Sequence, residues 1–209
     1  MSSVLVLTSS ALGDDSVSNQ LVNHAVEQIV RESEAATVVR RNLGLDPVPH
    51  LVFDSTAAVR GGSTDNDAQK EALALSDSLV AELKAADTVV IGAPMYNFGM
   101  PTTLKAWFDH VLRAGVTFSY SEAGPKGLLE GKKAIVVLSR GGLYSEGPSA
   151  AIDFQEPHLR WLLKFMGIED VVVVRAEKLG FGPEAREQAI TGAKAAIEAS
   201  LRDENRLAA

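Results

Sequence analysis

Three stretches of the chain carry residue types that could hold a small anionic ligand. The first, residues 8–19, reads Thr-Ser-Ser-Ala-Leu-Gly-Asp-Asp-Ser-Val-Ser-Asn and is rich in hydroxyls. No Lys or Arg occurs in the first thirty residues. A phosphate bound there would rest on hydroxyls, backbone N–H groups and a helix N-terminus, which together suit an anion without a formal cation. Taken alone, the stretch also reads as an N-cap at Ser18 with Asp14 and Asp15 in a solvated turn. The second stretch, residues 92–101, concentrates Pro94, Met95, Tyr96, Asn97, Phe98 and Pro101. The prolines stiffen it, and Pro101 also suits the first turn of a helix. Such a loop suits a flat ring, with Asn97 as a polar contact; the other reading packs Tyr96 and Phe98 against a neighbouring helix or subunit. The third, residues 139–144, holds Ser139, Arg140, Gly141, Gly142 and Tyr144. Its glycines let a backbone approach a ligand closely, and successive amides can form an anion nest. Its plainer reading is a turn with Arg140 in solvent.

The elements that must position these stretches follow from the apolar pattern. Short β-branched runs at residues 4–7, 38–39, 88–91, 134–138 and 171–174 suit strands buried on both faces. Between them lie stripes at helical spacing: Leu21, Ala25 and Ile29; Ala72, Leu75, Leu79 and Leu83; Leu104, Phe108, Val111 and Leu112; Leu159, Leu162, Leu163 and Met166; and Ala189, Ala193, Ala196, Ile197 and Ser200. Strand followed by helix, five times over, predicts an α/β three-layer sandwich with a five-stranded parallel sheet. The flavodoxin-like order 2-1-3-4-5 fits five strands, and ligands in such sheets bind beyond the carboxyl ends of the strands. All three stretches leave those ends. Residues 42–66 read as the longest irregular segment, either a lid or a surface excursion. No linker divides the chain, so one domain over residues 1–209 is expected.

Composition narrows the classes. The 209 residues are 46% hydrophobic and carry a net charge of −7, which argues against a nucleic-acid partner. The absence of cysteine excludes disulfides, thiol nucleophiles and Cys-ligated metal. Redox chemistry would therefore need a bound cofactor. The four histidines at 24, 50, 110 and 158 form no pair at metal-ligand spacing, so no metal site is expected. The first residues lack the basic and long apolar regions of a signal peptide, and no run is long enough to span a membrane; the expectation is a cytoplasmic protein with no membrane partner. The three loops at one sheet edge point to a ligand with one phosphate and a flat electron-accepting ring. Flavin mononucleotide (FMN) fits; dinucleotides would need more phosphate donors.

The motifs also resemble the FMN-dependent NADH-azoreductase and quinone reductase family. The likeness rests on residues 10–19, the run Ala93-Pro94-Met95-Tyr96-Asn97-Phe98 and the tetrad Ser139-Arg140-Gly141-Gly142, with further matches at 71–77, 113–118 and 180–183. It extends over essentially the whole chain. The resemblance implies a flavodoxin-like fold and a homodimer with tightly but non-covalently bound FMN at its interface. It implies NAD(P)H as donor, quinones and azo compounds as small-molecule acceptors, and ping-pong two-electron transfer. By motif match the phosphate falls to Ser10, Ser16, Val17 and Ser18. The ring falls to Met95, Tyr96, Asn97 and Phe98, and its pyrimidine end to Ser139, Arg140, Gly141 and Gly142. Several relatives carry His where this chain has Tyr144, which bears on acceptor choice. The cofactor carries the hard chemistry, so no catalytic side chain is required.

Phe118 and Tyr120 are candidates for the acceptor pocket, with core or interface packing as the other reading. Arg60 is a candidate for an NADH phosphate or a sulfonated dye, with a solvated side chain as the other. The rival function is a flavodoxin-like one-electron carrier, which would be shorter and lack the segments at 42–66 and 115–131.

Overall fold

The computed structural model describes residues 3–32 and 35–207. Strands β1 (Ser3–Thr8), β2 (Thr37–Asn42), β3 (Thr88–Pro94), β6 (Lys133–Ser139) and β7 (Asp170–Ala176) form one parallel sheet in the order β2-β1-β3-β6-β7. Counted among themselves, these five strands run 2-1-3-4-5, the flavodoxin-like order. A separate antiparallel hairpin, β4 (Phe118–Ser121) with β5 (Gly124–Gly127), lies between β3 and β6 in the chain. The helices are α1 (Val17–Glu32), α2 (Phe53–Gly61), α3 (Asp67–Ala85), α4 (Thr102–Val111), α5 (Glu156–Phe165) and α6 (Pro183–Leu207).

The period-two alternation of a strand explains why one sheet needs two helical layers. Leu5, Leu7, Val89, Ile91, Val136 and Leu138 point to one side and pack with Leu79 and Leu83 of α3, Leu104 and Phe108 of α4, and Leu159 and Leu163 of α5. Val4, Val6, Val90, Ile135 and Val137 point to the other and meet Leu21, Val22 and Ala25 of α1 and Ala193 and Ile197 of α6. Each such fully buried aliphatic side chain contributes about 1.5–3 kcal/mol of transfer free energy. The outer strands β2 and β7 are more exposed than β1, β3 and β6.

Three expectations change. The segment 42–66 is not wholly irregular, because α2 occupies its second half. That helix buries Ser55, Ala58 and Val59, residues too small to print an apolar stripe, and it packs against α3. The first half is held by buried Leu43 and Val48 and by His110 Nε2, which donates to the Pro49 carbonyl at 3.0 Å. Burial pushes the His110 imidazole below its ordinary range. The last stripe is rotated: Ala193, Ile197 and Leu201 are buried and Ala196 is exposed. The hairpin was not anticipated; Phe118 anchors it, 4.7 Å centre to centre from the Phe165 ring. Among the described residues, no helix is long and apolar enough to cross a membrane, and no group of three or more His, Asp or Glu could hold a metal ion.

Candidate functional site

Strand register brings the three loops to one edge. Thr8 of β1 lies opposite Gly92 of β3, and Pro94 of β3 opposite Ser139 of β6. The loops then bond to one another. Ser9 Oγ donates to the Gly92 carbonyl at 2.7 Å, and Met95 N–H to the Ser139 carbonyl at 2.9 Å. The Tyr96 hydroxyl accepts from Ala11 N–H at 3.0 Å and lies 3.4 Å from Ser10 Oγ. Tyr96 is thus a tie between the hydroxyl loop and the aromatic loop as well as a ring at the edge.

The hydroxyl loop carries its own scaffold. A single 3-10 turn, Gly13–Asp15, delivers the chain to α1. Ser16 takes the cap position, its Oγ accepting from Asn19 N–H at 3.2 Å, so the cap is Ser16 and not Ser18. Ser18 is fully buried in the first turn and shares a hydrogen bond with Ser16 Oγ at 3.0 Å. Val17 packs its side chain into the core beside α1, which leaves its backbone as the part that can meet a ligand. As at any helix start the first-turn N–H groups have no backbone acceptor one turn earlier in the helix; that of Asn19 is taken by Ser16 Oγ. Behind the loop, Gly44 presses against the chain: a Cβ there would lie 2.0 Å from the Ser10 carbonyl oxygen.

The aromatic loop is a tight turn in which Tyr96 and Gly99 exchange two backbone hydrogen bonds at 3.0 and 3.1 Å. Asn97 (φ 48°) and Phe98 (φ 71°) occupy its centre, both left-handed, as a type I′ turn demands. Asn tolerates this conformation; for Phe it costs on the order of 1–3 kcal/mol and is held only by surrounding structure. Part of that hold is Phe154 N–H, which donates to the Phe98 carbonyl at 3.1 Å. The Tyr96 and Phe98 side chains stay substantially exposed, so they do not pack into a helix of the same chain. Tyr144 meets Phe98 edge-on, with ring centres 6.2 Å apart.

The loop after β6 departs most from the sequence reading. Arg140 is 1% exposed, neither solvated nor free to offer its guanidinium to a ligand. Nε donates to Gln155 Oε1 at 3.1 Å, Nη1 to Glu177 Oε1 at 3.1 Å and Nη2 to Asp153 Oδ2 at 2.8 Å. Arg140 therefore belongs to the site through its backbone, and its side chain is structural. Gln155 Nε2 continues the link to the Ala93 carbonyl at 3.0 Å, just before the aromatic loop. Glu177 also accepts from the N–H groups of Tyr144 at 2.8 Å and Ser145 at 3.1 Å, and from the Ser145 hydroxyl. Burial alone would raise the Glu177 carboxyl; these hydrogen bonds and the Arg140 charge outweigh it and hold it below the usual range. Glu156 is likewise lowered, its burial outweighed by bonds from Arg175 at 2.7 Å and Arg160 at 2.9 Å. Among the described residues, none accepts a hydrogen bond from Gly141 or Gly142 N–H, whereas their carbonyls accept from Gly180 and Lys178. Two donors therefore remain available at the end of β6.

The remaining pocket candidates lie elsewhere in the chain. Arg60 clamps the last turn of α4, donating to the carbonyls of Leu112 and Asp109. Phe118 is core, and Tyr120, 71% exposed, stacks edge-on against it at 5.4 Å. All three gather beyond the carboxyl end of α4, about 15 Å of helix rise from the loop that precedes it. A cleft of about 600 Å³ also lies away from the loops, lined by Trp161, Lys164 and Phe165 and by the residues entering β6 and β7. Sequence reasoning passed over Asp153 and Gln155 and, while it places Glu177 in a loop leaving the last strand, gives that residue no role. The one signal was Glu177's place directly after the last strand, at the same edge.

This donor set fits FMN. Hydroxyls and helix N–H groups without a cation suit one phosphate, exposed rings on a stiff turn suit a flat ligand, and the free glycine amides suit electron-rich ring atoms.

A model of the flavodoxin-like fold matches residues 2–201. The FMN-dependent NADH:quinone oxidoreductase of Hyphomonas neptunium is 61% identical over 197 residues, 94% of each chain. That of Shewanella loihica is 50% identical over 95% of this chain and 98% of its own. Among solved structures, an azoreductase from Bacillus anthracis superposes with a TM-score of 0.86 at 28% identity, over 95% of this chain and 98% of its own. An FMN-dependent NADH-azoreductase from another strain of that organism, in complex with FMN, gives 0.84 at 27% identity over the same shares.

Proposed function

The chain belongs to the flavodoxin-like fold family, among the FMN-dependent NADH:quinone oxidoreductases, and on that premise we propose that it binds FMN tightly and non-covalently and uses NADH to reduce quinones and azo compounds. The observation that carries the reading is the convergence, at one sheet edge, of buried hydroxyls at a helix start, exposed rings on a strained turn and two glycine amides with no acceptor among the described residues. Bound FMN supplies the two-electron transfer between donor and acceptor. The residues then bind, orient and polarise. Ser10, Ser16 and Ser18, with the amides of Val17 and its neighbours, hold the phosphate. Met95, Tyr96, Asn97 and Phe98 would form the wall for its ring. Ser139 and the backbone of residues 140–142 would serve its pyrimidine end, where N–H donors would stabilise negative charge as an oxyanion hole does. No side chain here has to move a proton.

The carrier reading is not favoured, since the close relatives are named as oxidoreductases of NADH and quinone. We read the protein as a single domain acting as a cytoplasmic homodimer. Exposed Phe53, Leu45, Phe154 and Trp161 are apolar surface that a second copy would cover, and the exposed Tyr120 of a second copy would supply an aromatic wall to the acceptor pocket, whereas Arg60 is committed to the end of α4. Steady-state kinetics test the function. Varying NADH at several fixed quinone concentrations should give parallel double-reciprocal lines on FMN-loaded protein. Quinone-independent NADH consumption, or none, contradicts the reading.

A further inference from the structure

We propose that Glu177 is a positioning residue: its carboxylate holds residues 141–145 in the shape that presents the Gly141 and Gly142 amides and the Tyr144 ring to the flavin. This rests on the FMN reading above. A carboxylate has about four lone-pair sites. Glu177 accepts four hydrogen bonds from a single loop: Oε1 from Arg140 Nη1 at 3.1 Å, Tyr144 N–H at 2.8 Å and Ser145 N–H at 3.1 Å, and Oε2 from the Ser145 hydroxyl. The backbone beside it runs the other way, Lys178 N–H donating to the Gly142 carbonyl and Gly180 N–H to the Gly141 carbonyl, both at 2.9 Å. The carbonyls of the two glycines are thereby turned inward to residues 178–180, and among the described residues their N–H groups have no acceptor. Tyr144, fixed by its amide, sets its ring edge-on to Phe98. A second route reaches the aromatic loop through Arg140, Gln155 and the Ala93 carbonyl.

Two roles can be separated by substitution, because one depends on where the acceptor oxygen sits and the other on charge beside Arg140. Glu177→Gln keeps an oxygen in place and loses the charge; Glu177→Asp keeps the charge and withdraws the oxygen by one methylene; Glu177→Ala loses both. Positioning predicts that the Asp and Ala variants raise amide hydrogen exchange at Tyr144 and Ser145 and weaken FMN binding, each about tenfold, the scale of one hydrogen bond to a charged group. The Gln variant stays within about threefold of wild type in both, since an amide oxygen still accepts from the two N–H groups. A role confined to neutralising Arg140 predicts the reverse, with Gln and Ala altered together and Asp unchanged. That pattern, or wild-type exchange and affinity in Asp, overturns the proposal. Should the Ala variant fail to fold, Gln against Asp decides alone. Wild-type protein that retains no FMN overturns the flavin reading instead, and the exchange measurement on the same variants still shows whether Glu177 holds the loop.

Discussion

The loop after β1 is braced by neutral groups, most within a few positions of one another and the rest from β3 and the Tyr96 hydroxyl, whereas the loop after β6 is braced by charged and amide side chains from farther along the chain. Ser16 bonds to Asn19 and Ser18, and Ser10 Oγ accepts from Leu12 N–H at 3.2 Å. Arg140 instead depends on Asp153, Gln155 and Glu177, up to 37 residues away, and every one of these groups is charged or an amide. The first loop needs only hydroxyls and a helix start. The second must keep a guanidinium out of water, which is tolerable only when each N–H finds a partner. A neutral, local brace should therefore fail gently and a charged, remote one severely.

Arg140→Met should show the largest effect, because it strands Asp153 and Glu177 with buried charge. Breaking a buried pair costs about 3–5 kcal/mol, to be read by urea denaturation. A loss under about 1 kcal/mol would erase the contrast between the loops. Acid should act on the same loop less severely. A carboxyl held low in the folded state stabilises it above the unfolded value and loses that contribution as pH falls through the folded one. Glu156 and Glu177 both lie below the ordinary 4.5, so their contribution is level above that pH and fades below it. Amide NMR shifts of Tyr144 and Ser145 should move on acidification while that of Asn19 stays put; equal movement would show that the loops are not independently braced.

Gly44→Ala tests the backing of the first loop. Its Cβ would overlap the Ser10 carbonyl, so the chain must shift, at a cost of about 1–3 kcal/mol in thermal or chemical stability. Smallest is Ser16→Ala, which removes one cap for about 1 kcal/mol and should weaken FMN binding with little change elsewhere. A cost as large as that of Arg140→Met would reverse the comparison.

The same contrast explains what was legible in the sequence. Residues that act through near neighbours left a local pattern: the hydroxyl run, the Met95–Tyr96–Asn97–Phe98 turn and the strand repeats that gave the sheet order. Helix α2 left none, because Ser55, Ala58 and Val59 bury small surfaces against α3. Arg140 read either as a ligand contact or as a solvated side chain, since the partners that bury its guanidinium, Asp153, Gln155 and Glu177, lie 13 to 37 residues away. Phe118 resembled a pocket residue because an aromatic before a hairpin and an aromatic in a core have the same spacing. Arg60 read as free because a helix carbonyl as partner has no signature in sequence.

The proposed site should hold FMN where NADH can reduce it. The direct measurement is anaerobic: load the protein with FMN, remove free flavin, add NADH and follow the visible absorption. The flavin should be retained, bleach fully with NADH and regain its colour on adding a quinone. Flavin that stays bound but cannot be reduced by NADH, or no retained flavin at all, would contradict this.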